Sequence, residues 1–160
     1  MALTVGVTGH RQLLHSHQAV SLVSGNILTT LGATEVITGM ALGFDQLIAE
    51  VCLAMGIPFI AAVPCKDQER LWTKPQQEKY HLLLSQSARV VMVDEGDYAP
   101  WKMIKRNQWI VDNCVQMLSY WNGSKEGGTA NCLRYAKQQK RPVEFVRFPT
   151  NHPLLKSLYT

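Results

Sequence analysis

Gly127-Gly128-Thr129, inside the stretch "YWNGSKEGGTANCLRYA" (residues 120–136), sets two residues without a Cβ beside a hydroxyl, where an apolar run gives way to a helical pattern. Backbone N–H groups at such a turn can approach an anion closely, and the dipole of the helix that follows favours negative charge. That is phosphate-binding chemistry. The same residues also read as a plain tight turn with Thr129 as the helix N-cap. No Lys-Ser/Thr pair follows, so this is not a Walker loop.

Three other stretches carry comparable chemistry. "TGHR" offers Thr8, Gly9, His10 and Arg11; an arginine can hold a phosphate bidentately, and a histidine can donate to it or move a proton. "TGMALGFD" spaces Gly39 and Gly43 ahead of Asp45 but lacks the third glycine of the dinucleotide fingerprint and the acidic residue that ends its next strand, which argues against a conventional NAD dehydrogenase. Asp45 either accepts a ribose hydroxyl or bonds to the first-turn N–H groups of its own helix. "MIKRNQW" places Arg106 and Asn107 on a helix, where Arg106 is either a counter-charge or half of an exposed ion pair. Trp72, Tyr80 and Trp101 can stack on a base, although aromatic side chains more often pack into a core or lid.

The elements that must position these residues follow from periodicity. Short β-prone runs at 3–8, 34–39, 57–63, 88–94, 115–121 and 142–148 alternate with helical patterns at 16–31, 41–56, 77–85, 100–114 and 129–139. Such alternation predicts an α/β, Rossmann-like fold: a mostly parallel sheet of about six strands with helices on both faces. Ligands of these sheets sit beyond the carboxyl ends of the strands. The segments directly after five strands, 8–11, 38–45, 64–72, 94–101 and 122–129, concentrate glycines, small hydroxyls and polar side chains, which are therefore expected at one edge of the sheet.

With 46% apolar and 18% charged residues, the 160-residue chain reads as one domain over 1–160. Cys52, Cys65, Cys114 and Cys132 show no CxxC spacing and do not cluster with the five histidines, so no metal site is expected and the thiols read as reduced and buried. The longest apolar run, 57–63, is far too short to span a bilayer, and no basic leader precedes the first strand; the expectation is a cytoplasmic protein without a membrane partner. The net charge of +4 suits an anionic ligand, yet its only dense basic patch is "KQQKR" at 137–141, which permits nucleic acid without requiring it.

Taken together, "GVTGHR", "ITGMALGFDQLIAE", "VPCKDQERLW", "SARVVMVD", "MIKRNQWIVDNC" and "WNGSKEGGTANCLRYA" resemble the SLOG superfamily of Rossmann-like domains, in particular its YpsA-like branch. The superfamily also holds the LONELY GUY phosphoribohydrolases and DprA. The resemblance implies binding of a nucleotide or nucleotide derivative through the glycine-rich turns, and favours the phosphate cradle over the plain cap. The hydrolase branch carries a "GGxGTxxE" turn whose glutamate acts in catalysis; Cys132 stands at that position here, and a neutral thiol cannot stabilise an oxocarbenium-like centre as a carboxylate does. Asp45, Asp94, Glu95 or Asp97 would then have to supply one. The expectation is a homo-oligomeric sensor or sequestering module for a small nucleotide-derived ligand, with no further cofactor. Its rivals are a hydrolase of an N-glycosidic or phosphate bond and a DprA-type binder of single-stranded nucleic acid.

Overall fold

The computed structural model describes residues 2–148. Six strands, β1 (Thr4–Gly9), β2 (Glu35–Thr38), β3 (Phe59–Val63), β4 (Arg89–Met92), β5 (Gln116–Tyr120) and β6 (Val143–Phe145), form one sheet in the order β4-β3-β2-β1-β5-β6. Every pairing is parallel. The Rossmann-like α/β expectation therefore holds, with α1 (His17–Leu31), α2 (Phe44–Met55), α3 (Lys74–Gln86), α4 (Pro100–Asp112) and α5 (Gly128–Gln138) as the crossovers.

The alternation within β1 explains the two layers. Val5 and Val7 are buried in a cluster with Val20, Leu28, Leu47 and Ile48, which places α1 and α2 on that face. Gly6 faces the other way, and a Cβ there would press within 2.7 Å of Ile110 and 2.9 Å of Cys114, so α4 packs directly on the β1 backbone. Ile37, Ile60, Val111, Met117, Cys132 and Ala136 complete this second core. Strands buried on both faces are the reason the apolar runs are nearly continuous.

Strand order reverses at β1: its successors β2, β3 and β4 step away on one side, while β5 and β6 lie on the other. The chain leaves β1 after Gly9 and its neighbour β5 after the paired residue Tyr120. Divergent exits of this kind open a crevice at the carboxyl edge of a parallel sheet.

Candidate functional site

That crevice holds a cavity of about 350 Å³. Thr8, Gly9, His10 and Arg11 form its wall on the β1 side, and Asp45 reaches it from the first turn of α2. Arg106 and Asn107 enter from α4, and Gly127, Gly128 and Thr129 close it at the start of α5. Residues separated by more than a hundred positions thus meet around one volume, which lies within the range of small-molecule sites.

Gly39 and Gly43, expected to face a ligand, do not line this cavity. Both are required behind it. A Cβ on Gly39 would fall 2.6 Å from the Arg106 guanidinium carbon, so the glycine is the bed on which that side chain lies. Gly43 has φ +85°, and its Cβ would overlap the backbone of Arg11, 2.6 Å from the Cα. The Phe44 N–H also donates to the His10 carbonyl at 3.1 Å. The α2 start and the β1 exit are therefore locked together, which fixes His10 and Arg11 at the mouth.

Thr129 is not the N-cap of its helix. The cap is Gly127, at φ +99°, and no side chain bonds to the first turn. The first helical bond runs from the Asn131 N–H to the Gly127 carbonyl at 3.1 Å, so the amides of Gly128, Thr129 and Ala130 lie ahead of it. Neither glycine would bring a Cβ within 4 Å of any atom, and Gly128 has no positive φ. The fold itself places no steric demand on position 128.

Arg106 is buried, 4% exposed, and forms no exposed ion pair. Nη1 donates to the Gly39 carbonyl at 2.5 Å and to the Ala62 carbonyl at 3.4 Å, Nε donates to Asn107 Oδ1 at 2.9 Å, and Nη2 has only the Met103 thioether at 3.9 Å. Asp45 is equally buried. Its Oδ2 accepts the Ala41 N–H at 3.3 Å, not an amide of its own helix, and among the described residues its Oδ1 has no partner. Burial raises the Asp45 pKa from an ordinary 3.8 to about 6, against the opposing charges of Arg106 and Arg11 and the Ala41 bond. Burial likewise lowers the Arg106 pKa, and Asp45 opposes that shift.

The raised value has a definite sign for stability. A carboxyl that keeps its proton more firmly when folded favours the native state most below the unfolded pKa, and that advantage disappears as pH rises from about 4 to about 6. Over the whole span the loss is roughly 3 kcal/mol. Urea unfolding is expected to show native stability falling by roughly 2 kcal/mol more than that of Asp45→Asn between about pH 4.5 and about pH 7.5. Parallel pH profiles for the two chains would contradict the assignment.

His10 accepts the Asn122 N–H on Nε2 at 3.0 Å, so the proton of a neutral ring sits on Nδ1. Cys132 is buried behind the cavity, and burial pushes its thiol up to about 12, which keeps it neutral. Ala41, Met103 and Glu126 also line the cavity, and sequence reasoning missed them. Of these, Met103 was accessible: it lies three residues before Arg106, on the same face of α4. Trp72 and Tyr80 pack edge to face, and Tyr80 is buried with its hydroxyl accepting from Gln68 Nε2 at 3.0 Å. Neither they nor Trp101 line the cavity. Among the described residues, no group of three or more His, Cys, Asp or Glu is placed to hold a metal ion. No described helix is long and apolar enough to cross a membrane.

The model of the YspA SLOG family matches residues 22–150. The chain belongs to the YspA SLOG family. Another sequence similar to this member is the SPbeta prophage-derived protein YoqJ of Bacillus subtilis, 33% identical over 129 residues, which cover 70% of this chain and 74% of YoqJ. Among solved structures, DNA processing protein A (DprA) of Streptococcus pneumoniae superposes with a TM-score of 0.71 at 17% identity, covering 98% of this chain and 54% of DprA. This SLOG chain therefore spans about half of that protein. The Helicobacter pylori DprA, described as binding single-stranded DNA, gives 0.68 at 19% identity over 99% of this chain and 74% of its own. At these identities the two structures establish a shared fold.

Proposed function

We propose that this SLOG-family protein binds a nucleotide or nucleotide-derived small molecule in the cavity between β1, α4 and α5, as a sensor or sequestering module. The observation that carries the reading is the uncapped start of α5: open amides at 128–130, without a side-chain partner, opposite the buried cation Arg106. A phosphate satisfies those amides and balances the charge. Arg11 adds a second cation at the mouth. Asp45, which lines the same cavity, is the acceptor for a sugar hydroxyl, so that the cavity has a phosphate end and a ribose end.

Gly128→Val tests the reading, because a Cβ at this position would meet no atom within 4 Å outside its own turn, while it would stand where a phosphate approaches the amides. Calorimetric titration with nucleoside mono- and diphosphates and ADP-ribose should show saturable binding to the native chain, weakened about tenfold or more in the variant at unchanged melting temperature. No binding by any of these, or equal affinity in the folded variant, defeats the proposal.

Hydrolysis of an N-glycosidic bond is the second reading, favoured by one observation: Asp45, which lines the cavity and has a pKa of about 6, is suited to hold or transfer a proton near neutrality. Cys132, neutral and buried, supplies no carboxylate. Release of free base from nucleoside monophosphates is expected to be very slow or absent. Brisk release that Asp45→Asn abolishes would replace binding with catalysis.

A further inference from the structure

A second concavity, of about 620 Å³, lies away from the phosphate cavity, where α5 meets the edge strand β6. Its floor is apolar: Ala130 and Leu133 from α5, Val143 and Phe145 from β6, and Trp121 at one end. Its rim is cationic, with Lys125, Arg134, Lys137 and Arg141. The basic "KQQKR" patch of the sequence is thus one bank of an apolar trough.

Two of the rim cations are held in place without being neutralised. Arg134 donates to the Lys125 carbonyl at 2.9 Å and to Asn131 Oδ1; Arg141 donates to the Val111 carbonyl at 3.1 Å and the Gln139 carbonyl at 3.0 Å. Among the described residues, none of the four rim cations takes part in an ion pair. No carboxylate lines the trough. Glu144 alternates to the opposite side of β6, and Glu126 faces the phosphate cavity.

We propose that this trough docks an acidic amphipathic helix of a partner protein, its apolar side chains on Leu133, Val143 and Phe145 and its carboxylates on the four rim cations. Charge opposes a two-fold pairing of this face with a second copy of the chain, which would set four cations against four. Shape disfavours a membrane, since the surface is concave. Single-stranded nucleic acid needs aromatic faces along its path. Here the only aromatic faces in the lining, among the described residues, are the adjacent Trp121 and Phe145 at one end, and the Phe145 ring is already covered by the Arg147 guanidinium, 5.6 Å from its centroid. The helix α5, 11 residues and so about 16 Å long, matches a partner helix of about three turns, anchored at i, i+3, i+4 and i+7.

The test uses the full chain, isotope-labelled, and a synthetic helical peptide with leucines at those spacings and glutamates elsewhere; oligothymidine serves as the competing probe. Saturable shifts of the Trp121 indole, Leu133, Val143 and Phe145 signals are expected. Affinity should fall about tenfold in Leu133→Glu and again in Lys137→Glu, as expected for a buried anchor and a charge that faces it. Lys137 is exposed, so its variant keeps the test valid if Leu133→Glu fails to fold. Nucleotide titrations of the phosphate cavity should be unchanged in both. Absence of saturable peptide binding, shifts elsewhere, indifference to both substitutions, or tighter binding of oligothymidine at these same residues would each overturn the proposal.

Discussion

Arg106→Ala is expected to lower the unfolding free energy by about 2–4 kcal/mol, an unusually large effect for a side chain at the rim of a cavity. The guanidinium spans from α4 to the Gly39 carbonyl just after β2 and the Ala62 carbonyl on β3, so its loss leaves the buried Ala62 acceptor without that partner. It also removes the nearest compensating charge from Asp45, whose pKa should then rise above its present value of about 6. Denaturant unfolding and an NMR titration of the Asp45 carboxyl check the two effects together. Ligand binding should fall further still, by about 1.5–3 kcal/mol for each charged hydrogen bond removed. A loss of stability below about 1 kcal/mol, with Asp45 titrating unchanged, would show that Arg106 is solvated in a way its burial denies.

Gly43→Ala is expected to cost about 3 kcal/mol or more, because two mechanisms add at one atom. The φ of +85° and ψ of −124° suit only glycine, and the new methyl would overlap the Arg11 backbone, which cannot rotate aside. Relief requires α2 to move away from the β1 exit, breaking the Phe44 to His10 bond. A melting temperature lowered by several degrees is expected, with heightened hydrogen exchange at 8–11 and 43–47. Gly128→Ala is the control: the same chemical change, without strain and without a clash. Equal stability of the two variants would sink the account of Gly43.

Much of this arrangement can be read in the chain itself, and the exceptions have physical causes. Strand-to-helix alternation marks the sheet because doubly buried strands need continuous apolar runs. The beginning of α3 went unread: Thr73 and Gln76 form a capping box with Pro75 in the first turn, so the helix starts at Lys74 instead of 77. The α2 start was placed too early, at 41, because residues 41–43 continue the composition of the helix while their backbone makes the turn that seats Gly43 on Arg11. Cap and cradle at 127–129 were indistinguishable from local residues, since both want a glycine turn and a hydroxyl. The positive φ of Gly127 and the missing side-chain bond show that Thr129 is not the cap. The purpose of Gly39 was hidden for a different reason: the group that lies on it is 67 residues away in sequence.

If the cavity takes an anion, as proposed, the hydrogen bonds of Arg106 determine which anion it can prefer. Because Nη1 and Nε already serve the chain's own oxygen acceptors, the protein competes with any incoming anion for its central cation, and only the Nη2 corner is open. A planar carboxylate, which draws its advantage from engaging two parallel donors of one guanidinium, forfeits that advantage here. A tetrahedral phosphate does not, since one oxygen can meet the corner while others turn to the amides that open α5. Selection between the two anions would then come from what the protein withholds as much as from what it presents.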